Sequence, residues 1–143
     1  MTREVLNHIS SKIIGGAIEV HKELGPGLLE SVYGACLAHE LRNNGLLVEE
    51  QVHLPLTYKN QTLEKDFVLD LLIEKEVIVE LKAVEEIHPV HEVQLVTYLK
   101  LAHKKLGLLI NFNVPVLHKG IYRKVNNLYT FHSASLRLCV KKK

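Results

Sequence analysis

The chain has 143 residues, room for one domain of ordinary size and not for two. Apolar residues make up 47% and charged residues 24%, which excludes a disordered chain and allows a full hydrophobic core without disulfides or a structural metal. Eighteen Lys and Arg against sixteen Asp and Glu leave a formal net charge of +2, so a purely electrostatic nucleic-acid binder is excluded, whereas an enzyme with a local basic patch is not.

The N-terminal stretch MTREVLNHISSK is charged and lacks the apolar core of a signal peptide. Leu6, Ile9, Ile13, Ala17, Val20 and Leu24 recur at three and four residues, which predicts an amphipathic helix over 4–23. Gly25-Pro26-Gly27 ends it. A second helix is expected over 29–44, with Leu29, Val32, Tyr33, Cys36, Leu37 and Leu41 on one side and Asn43-Asn44-Gly45 as its stop. The period then changes. Residues 47–58 read as a strand, irregular near Pro55, followed by a turn at Lys59-Asn60-Gln61. Residues 63–73 and 77–84 read as strands joined by the tight turn Glu74-Lys75-Glu76. A third helix is expected over 90–105, opening after His88-Pro89. Residues 106–113 form a buried strand and 119–125 a further one; 128–143 hold an apolar segment and a lysine tail. The order α-α-β-β-β-α-β-β implies a mixed sheet with helices packed on it. No apolar run approaches the 18 residues a membrane span needs.

The two cysteines, Cys36 and Cys139, form no CxxC pair, so neither a disulfide framework nor a cysteine zinc site is expected. A reducing, cytoplasmic setting follows as the default. The nine histidines are scattered, and His88 and His91 lack a partner at helical i, i+4 spacing.

The hairpin at 63–84 carries the chemistry. With the loop at 74–76, position i pairs with 150 − i, and Asp70 opposes Glu80. Alternation places Val68, Asp70 and Leu72 beside Ile78, Glu80 and Lys82 on one face. Opposed like charges destabilise a sheet, and burying them unpaired costs more. A divalent cation resolves the conflict, since Mg²⁺ accepts one or two carboxylates with water completing its shell. Lys82 can then stabilise an attacking water or the charge developing on a phosphate. Spacing alone supports equally a simple acid–base cluster at a solvated sheet edge, because a one-residue slip dissolves the pairing. Glu30, near the first turn of the second helix, reads most simply as a complement to the helix dipole. Gln94 and Tyr98 flank the stripe of Leu95, Leu99 and Ala102 and read as a polar rim around a core.

Gly27-Leu28-Leu29-Glu30-Ser31-Val32-Tyr33 resembles the signature of the GxxExxY proteins, which are placed in the PD-(D/E)XK nuclease superfamily. Asp70, Glu80-Leu81-Lys82 and Gln94-x-x-x-Tyr98 follow in that family's order, and Leu106–Val114, with Asn111-Phe112, resembles its penultimate strand and exit. The resemblance covers about residues 5–126, leaving 127–143 as a C-terminal extension of a single domain. It implies an α/β (α+β) fold with a restriction-endonuclease-like core, a central mixed sheet flanked by helices. It implies Asp70, Glu80, the Leu81 carbonyl and Glu30 as ligands of Mg²⁺ or Mn²⁺. It further implies Lys82 as the catalytic lysine, with Gln94 and Tyr98 as an accessory motif near metal and phosphate. Two departures stand out: Leu69 precedes Asp70 in place of the proline of the superfamily's name, and Val68 replaces a frequent basic residue.

The expected function is a metal-dependent nuclease acting on nucleic acid, DNA ahead of RNA, with a homodimer allowed and no membrane partner. A catalytically silent module of the same fold, regulating or binding a protein partner, is the second reading. A carboxylate–metal enzyme for a small phosphorylated molecule is the third, and it requires a deep, narrow pocket.

Overall fold

The computed structural model of the protein describes residues 1–126. Helix α1 spans Arg3–Leu24 and α2 Glu30–Asn43; β1 is Val48–Tyr58, β2 Gln61–Ile73 and β3 Val77–Lys82; α3 is Pro89–Ala102, β4 Leu106–Asn111 and β5 Ile121–Val125. The strands form one sheet in the order β1-β2-β3-β4-β5, with β3 and β4 parallel and the other neighbours antiparallel. The parallel pair requires a crossover connection, which α3 supplies. This is the mixed, helix-flanked α+β architecture expected of a restriction-endonuclease-like core. The expected extension at 127–143, with Cys139, lies outside the described residues.

Each helix has a physical reason to start, stop and pack. Thr2 caps α1 by accepting the Val5 N–H at 3.2 Å. Gly25, at φ +70°, ends it and donates its N–H to the His21 carbonyl. The predicted stripe Leu6, Ile9, Ile13, Ala17 and Val20 is buried. A Cβ added at Gly16 would lie 2.7 Å from Leu41 Cδ2, so α1 and α2 cross in direct contact there. Both helices cover one face of the sheet, over Leu71, Ile73, Val77, Val79, Leu81, Leu108 and Ile110. Helix α3 covers the other face, where Leu95 and Leu99 pack on Leu69, Leu72, Ile78 and Leu109.

Several boundaries differ from the sequence expectation. Strand β3 stops at Lys82, not 84, because the Asn111 side chain takes both backbone polar groups of Val84. Helix α3 stops at Ala102, not 105: His103 adopts the left-handed region at φ 57°, and the Lys104 N–H closes on the Leu99 carbonyl. The 106–113 strand ends at Asn111, and 119–125 divides into a 3₁₀ turn, Leu117–Gly120, and β5. β2 begins at Gln61, because Lys59 and Asn60 form a tight turn at φ 50° and 65° that lets Gln61 pair with Tyr58. The irregularity expected near Pro55 is a register shift between Pro55 and Thr57.

The face assignment around Asp70 needs correction. Leu71 packs under α1 and α2, whereas Leu69, two residues earlier, packs under α3. Regular alternation would place them on one face. Opposite them, Val48 packs on the α1/α2 side and Val52 on the α3 side, and Gln51 between them has φ +50°. Both strands therefore change face at Gln51 and Asp70. Beyond this level the β1–β2 hairpin leaves the sheet as a two-stranded arm.

Candidate functional site

The β2–β3 pairing runs Ile73↔Val77, Leu72↔Ile78 and Leu71↔Val79, each pair in the register expected for a loop at 74–76. One step further the ladder opens. Asp70 and Glu80 meet not as a backbone pair but through their side chains. The Asp70 N–H donates to Glu80 Oε2 at 2.8 Å, and the Leu81 N–H donates to Asp70 Oδ2 at 2.8 Å. Each carboxylate thus fills the vacancy that the departing strand leaves on its neighbour's backbone. The fork between two strands is held open by the two acids that the sequence singled out.

The fork is electrostatically loaded. Burial pushes the Glu80 carboxyl up to about 8, the Asp70 charge adds to the rise, and the Asp70 N–H and the Lys82 ammonium oppose it. Burial also raises Asp70, while the Leu81 N–H pulls it down and Glu30 pushes it further up. Lys82 and a hydrogen bond from Gln51 favour the ionised form of Asp70. Tyr98 is raised by burial first, then by the charges of Glu80 and Asp70. Each of these shifts requires the named partner to lie within electrostatic range. Asp70, Glu80, Lys82, Glu30 and Tyr98 therefore belong to one neighbourhood.

Glu30 is the first residue of α2, and its Oε2 accepts the Ala83 N–H at 3.4 Å, just past the end of β3. With Ser31, Gly34, Gln51, Asp70 and Leu81 it lines an open cavity of about 480 Å³ between α2 and the fork. A Cβ at Gly34 would sit 3.3 Å from Leu81 Cδ1, so α2 rides close over β3 there and a larger residue would press on the Leu81 side chain. Tyr98, partly buried on α3, tilts its ring against Phe67 of the arm at 5.8 Å. Gln94 lies one turn before it, exposed on the same helix.

Asn111, named above only as part of a strand exit, and Gln51, which carried no signal, hold this arrangement in place. Asn111 is 2% exposed. Its Oδ1 accepts from the Val84 and Asn113 N–H groups at 3.1 and 3.2 Å, and its Nδ2 donates to the Val84 carbonyl at 2.9 Å. The next residue, Phe112, donates its N–H to the Lys82 carbonyl at 2.9 Å. Together they fix the path of residues 82–84. A polar residue interrupting the apolar run Leu106–Ile110 was the available signal. Gln51 offered none, because its importance comes from a positive φ and from facing Asp70 across the sheet.

Among the described residues, no group of three or more His, Cys, Asp or Glu side chains is gathered closely enough to hold a metal alone. A cation at the fork would be held by Asp70 and Glu80, with the Leu81 carbonyl and water completing its shell and Glu30, which lines the same cavity, reached through one of those waters. That donor set suits a hard cation such as Mg²⁺, which keeps several waters and takes one or two carboxylates. Each acid uses one oxygen to hold the fork, which fixes its orientation while the carboxylate keeps a second oxygen. No helix among the described residues is long and apolar enough to cross a membrane.

Residues 7–124 match the family described as the PD-(D/E)XK nuclease superfamily. No curated protein and no solved structure matches the chain.

Proposed function

The chain belongs to the PD-(D/E)XK nuclease superfamily, and from that premise we propose that it is a divalent-metal-dependent nuclease that hydrolyses phosphodiester bonds, with DNA its first candidate substrate. The observation that carries this reading is the fork: two half-buried acids, oriented by each other's backbone and forced against their own ionisation, beside one lysine. Such a site gains most from a cation. When bound, Mg²⁺ or Mn²⁺ supplies Lewis-acid polarisation of a phosphodiester and a water of lowered pKa.

Asp70 and Glu80 hold and orient that centre. Lys82 places an ammonium where charge grows on the phosphate oxygens or on the attacking water. Glu30 reaches the same end of β3 from α2, and Tyr98 offers a hydroxyl from α3. The cavity is open rather than a deep, closed slot, which favours a polymer over a small phosphorylated molecule. One such site cuts one strand at a time, so double-strand cleavage takes two copies or two encounters.

The test is cleavage of supercoiled plasmid and of single-stranded DNA and RNA in Mg²⁺ or Mn²⁺, by wild type, Asp70→Asn and Lys82→Ala. Cleavage by wild type and by neither variant supports the proposal. Equal cleavage by all three points to a contaminant and refutes it.

One observation favours the second reading. Leu28, Leu29 and Val32 are 41%, 73% and 38% exposed immediately beside Glu30. An apolar shoulder of this kind fits a protein partner, as in a module that keeps the fold and does not cut.

A further inference from the structure

Tyr33 is fully buried, yet its hydroxyl is used twice. It donates to the Gly25 carbonyl at 2.5 Å and accepts the Leu28 N–H at 3.1 Å. These two bonds span the turn between α1 and α2, in which Gly25 and Gly27 both have positive φ. Glu30 lies two residues past Leu28 and one turn before Tyr33. α2 lacks a side-chain N-cap, since Leu29 occupies that position. The Tyr33 hydroxyl therefore ties down the chain leading into α2.

The Tyr33 ring also stacks on Phe112, with centroids 4.5 Å apart and planes 7° from parallel. Phe112 in turn donates its N–H to the Lys82 carbonyl at 2.9 Å. The Tyr33 ring thus packs α2 against Phe112, whose backbone is bonded to the strand end that carries Lys82, and its hydroxyl bonds the chain that enters α2.

We infer that Tyr33 is a positioning residue that places the Glu30 carboxylate over the end of β3 through its hydroxyl bonds to Gly25 and Leu28. This rests on the reading of Glu30 as an acid of the site. Tyr33→Phe separates the two roles of the side chain, because it keeps the ring stack and removes both hydroxyl bonds.

The test is a double-mutant cycle on the full chain: wild type, Tyr33→Phe, Glu30→Gln and the double variant. Mn²⁺ affinity is measured by calorimetry, the thermal midpoint is recorded for each protein, and the amide resonance of Ala83 is followed without metal. Groups that orient a metal ligand typically contribute about tenfold or more in affinity. Tyr33→Phe is expected to weaken Mn²⁺ binding by about tenfold and to add nothing once Glu30 is Gln. It is also expected to move the Ala83 amide resonance as Glu30→Gln does, since that amide donates to Glu30. An equal loss of affinity in both backgrounds would show a structural role only and overturn the inference, as would no loss. If wild type binds no Mn²⁺, the reading of the site fails separately, and Ala83 decides: a shift shared by Tyr33→Phe and Glu30→Gln supports positioning, and an Ala83 resonance unmoved by Tyr33→Phe refutes it.

Discussion

Glu80→Gln should stabilise the metal-free protein at alkaline pH while removing its capacity for a cation. Glu80 titrates near 8 in the fold against an ordinary 4.5. The folded state therefore holds a proton that the unfolded state gives up between those values. Stability depends on pH as the difference in bound protons, unfolded minus folded, and that difference is negative here. The stability associated with this group is complete below pH 4.5 and is lost as pH rises to about 8. At 1.36 kcal/mol per unit the full shift corresponds to at most about 5 kcal/mol. Relaxation of the fork and water entry reduce this, so roughly half is a reasonable expectation. Gln retains an oxygen for the Asp70 N–H and carries no charge to desolvate. Urea unfolding in EDTA at pH 5.5, 7 and 8.5 measures the effect. Wild type should lose stability across that range, Glu80→Gln should lose less, and the variant should be the more stable protein at pH 8.5. A wild-type profile that is flat or rises toward pH 8.5, or a variant less stable than wild type there, would refute the reasoning.

Cation binding should displace the proton that burial holds on the Asp70–Glu80 pair. Mg²⁺ or Mn²⁺ affinity should therefore rise from pH 6 to pH 8, and calorimetry in two buffers of different ionisation enthalpy should report proton release at pH 7. Asn111→Leu leaves the N–H groups of Val84 and Asn113 without their acceptor; at about 1–3 kcal/mol for each unsatisfied buried group, a clear fall in the urea midpoint is expected, with Lys82 displaced. Gly107→Ala puts a Cβ 2.8 Å from Leu95 Cδ1. Overpacking of this kind costs about 1–3 kcal/mol, and a thermal scan should show the loss without any change in metal affinity.

The fold was legible because its elements announce themselves by period. The stripe from Leu6 to Val20 and the runs of 71–73, 77–81 and 106–110 are buried on the faces their spacing implies. The 150 − i register followed from a three-residue loop, and every β2–β3 pair obeys it. The meeting of Asp70 and Glu80 was legible to the same depth. Opposed acids on paired strands signal a conflict, and the structure resolves the backbone part of that conflict by opening the ladder. What stayed hidden depends on conformation rather than on residue type. Alternation assumes regular strands, and the positive φ of Gln51 breaks it where Asp70 must turn. Tyr33 read as a core residue on an apolar stripe, which it is. Nothing in the spacing shows that its hydroxyl reaches back eight residues to Gly25. The shortened β3 likewise depends on Asn111, a long-range partner 27 residues from Val84.

The most direct test of the central claim is calorimetric titration of Mg²⁺ and Mn²⁺ into wild type and Asp70→Asn at neutral pH. The account predicts that wild type binds and that removing the Asp70 charge abolishes binding while the thermal midpoint in EDTA holds or rises. Binding of equal strength in the variant, or none in wild type at millimolar metal, would contradict a cation site at the Asp70–Glu80 fork.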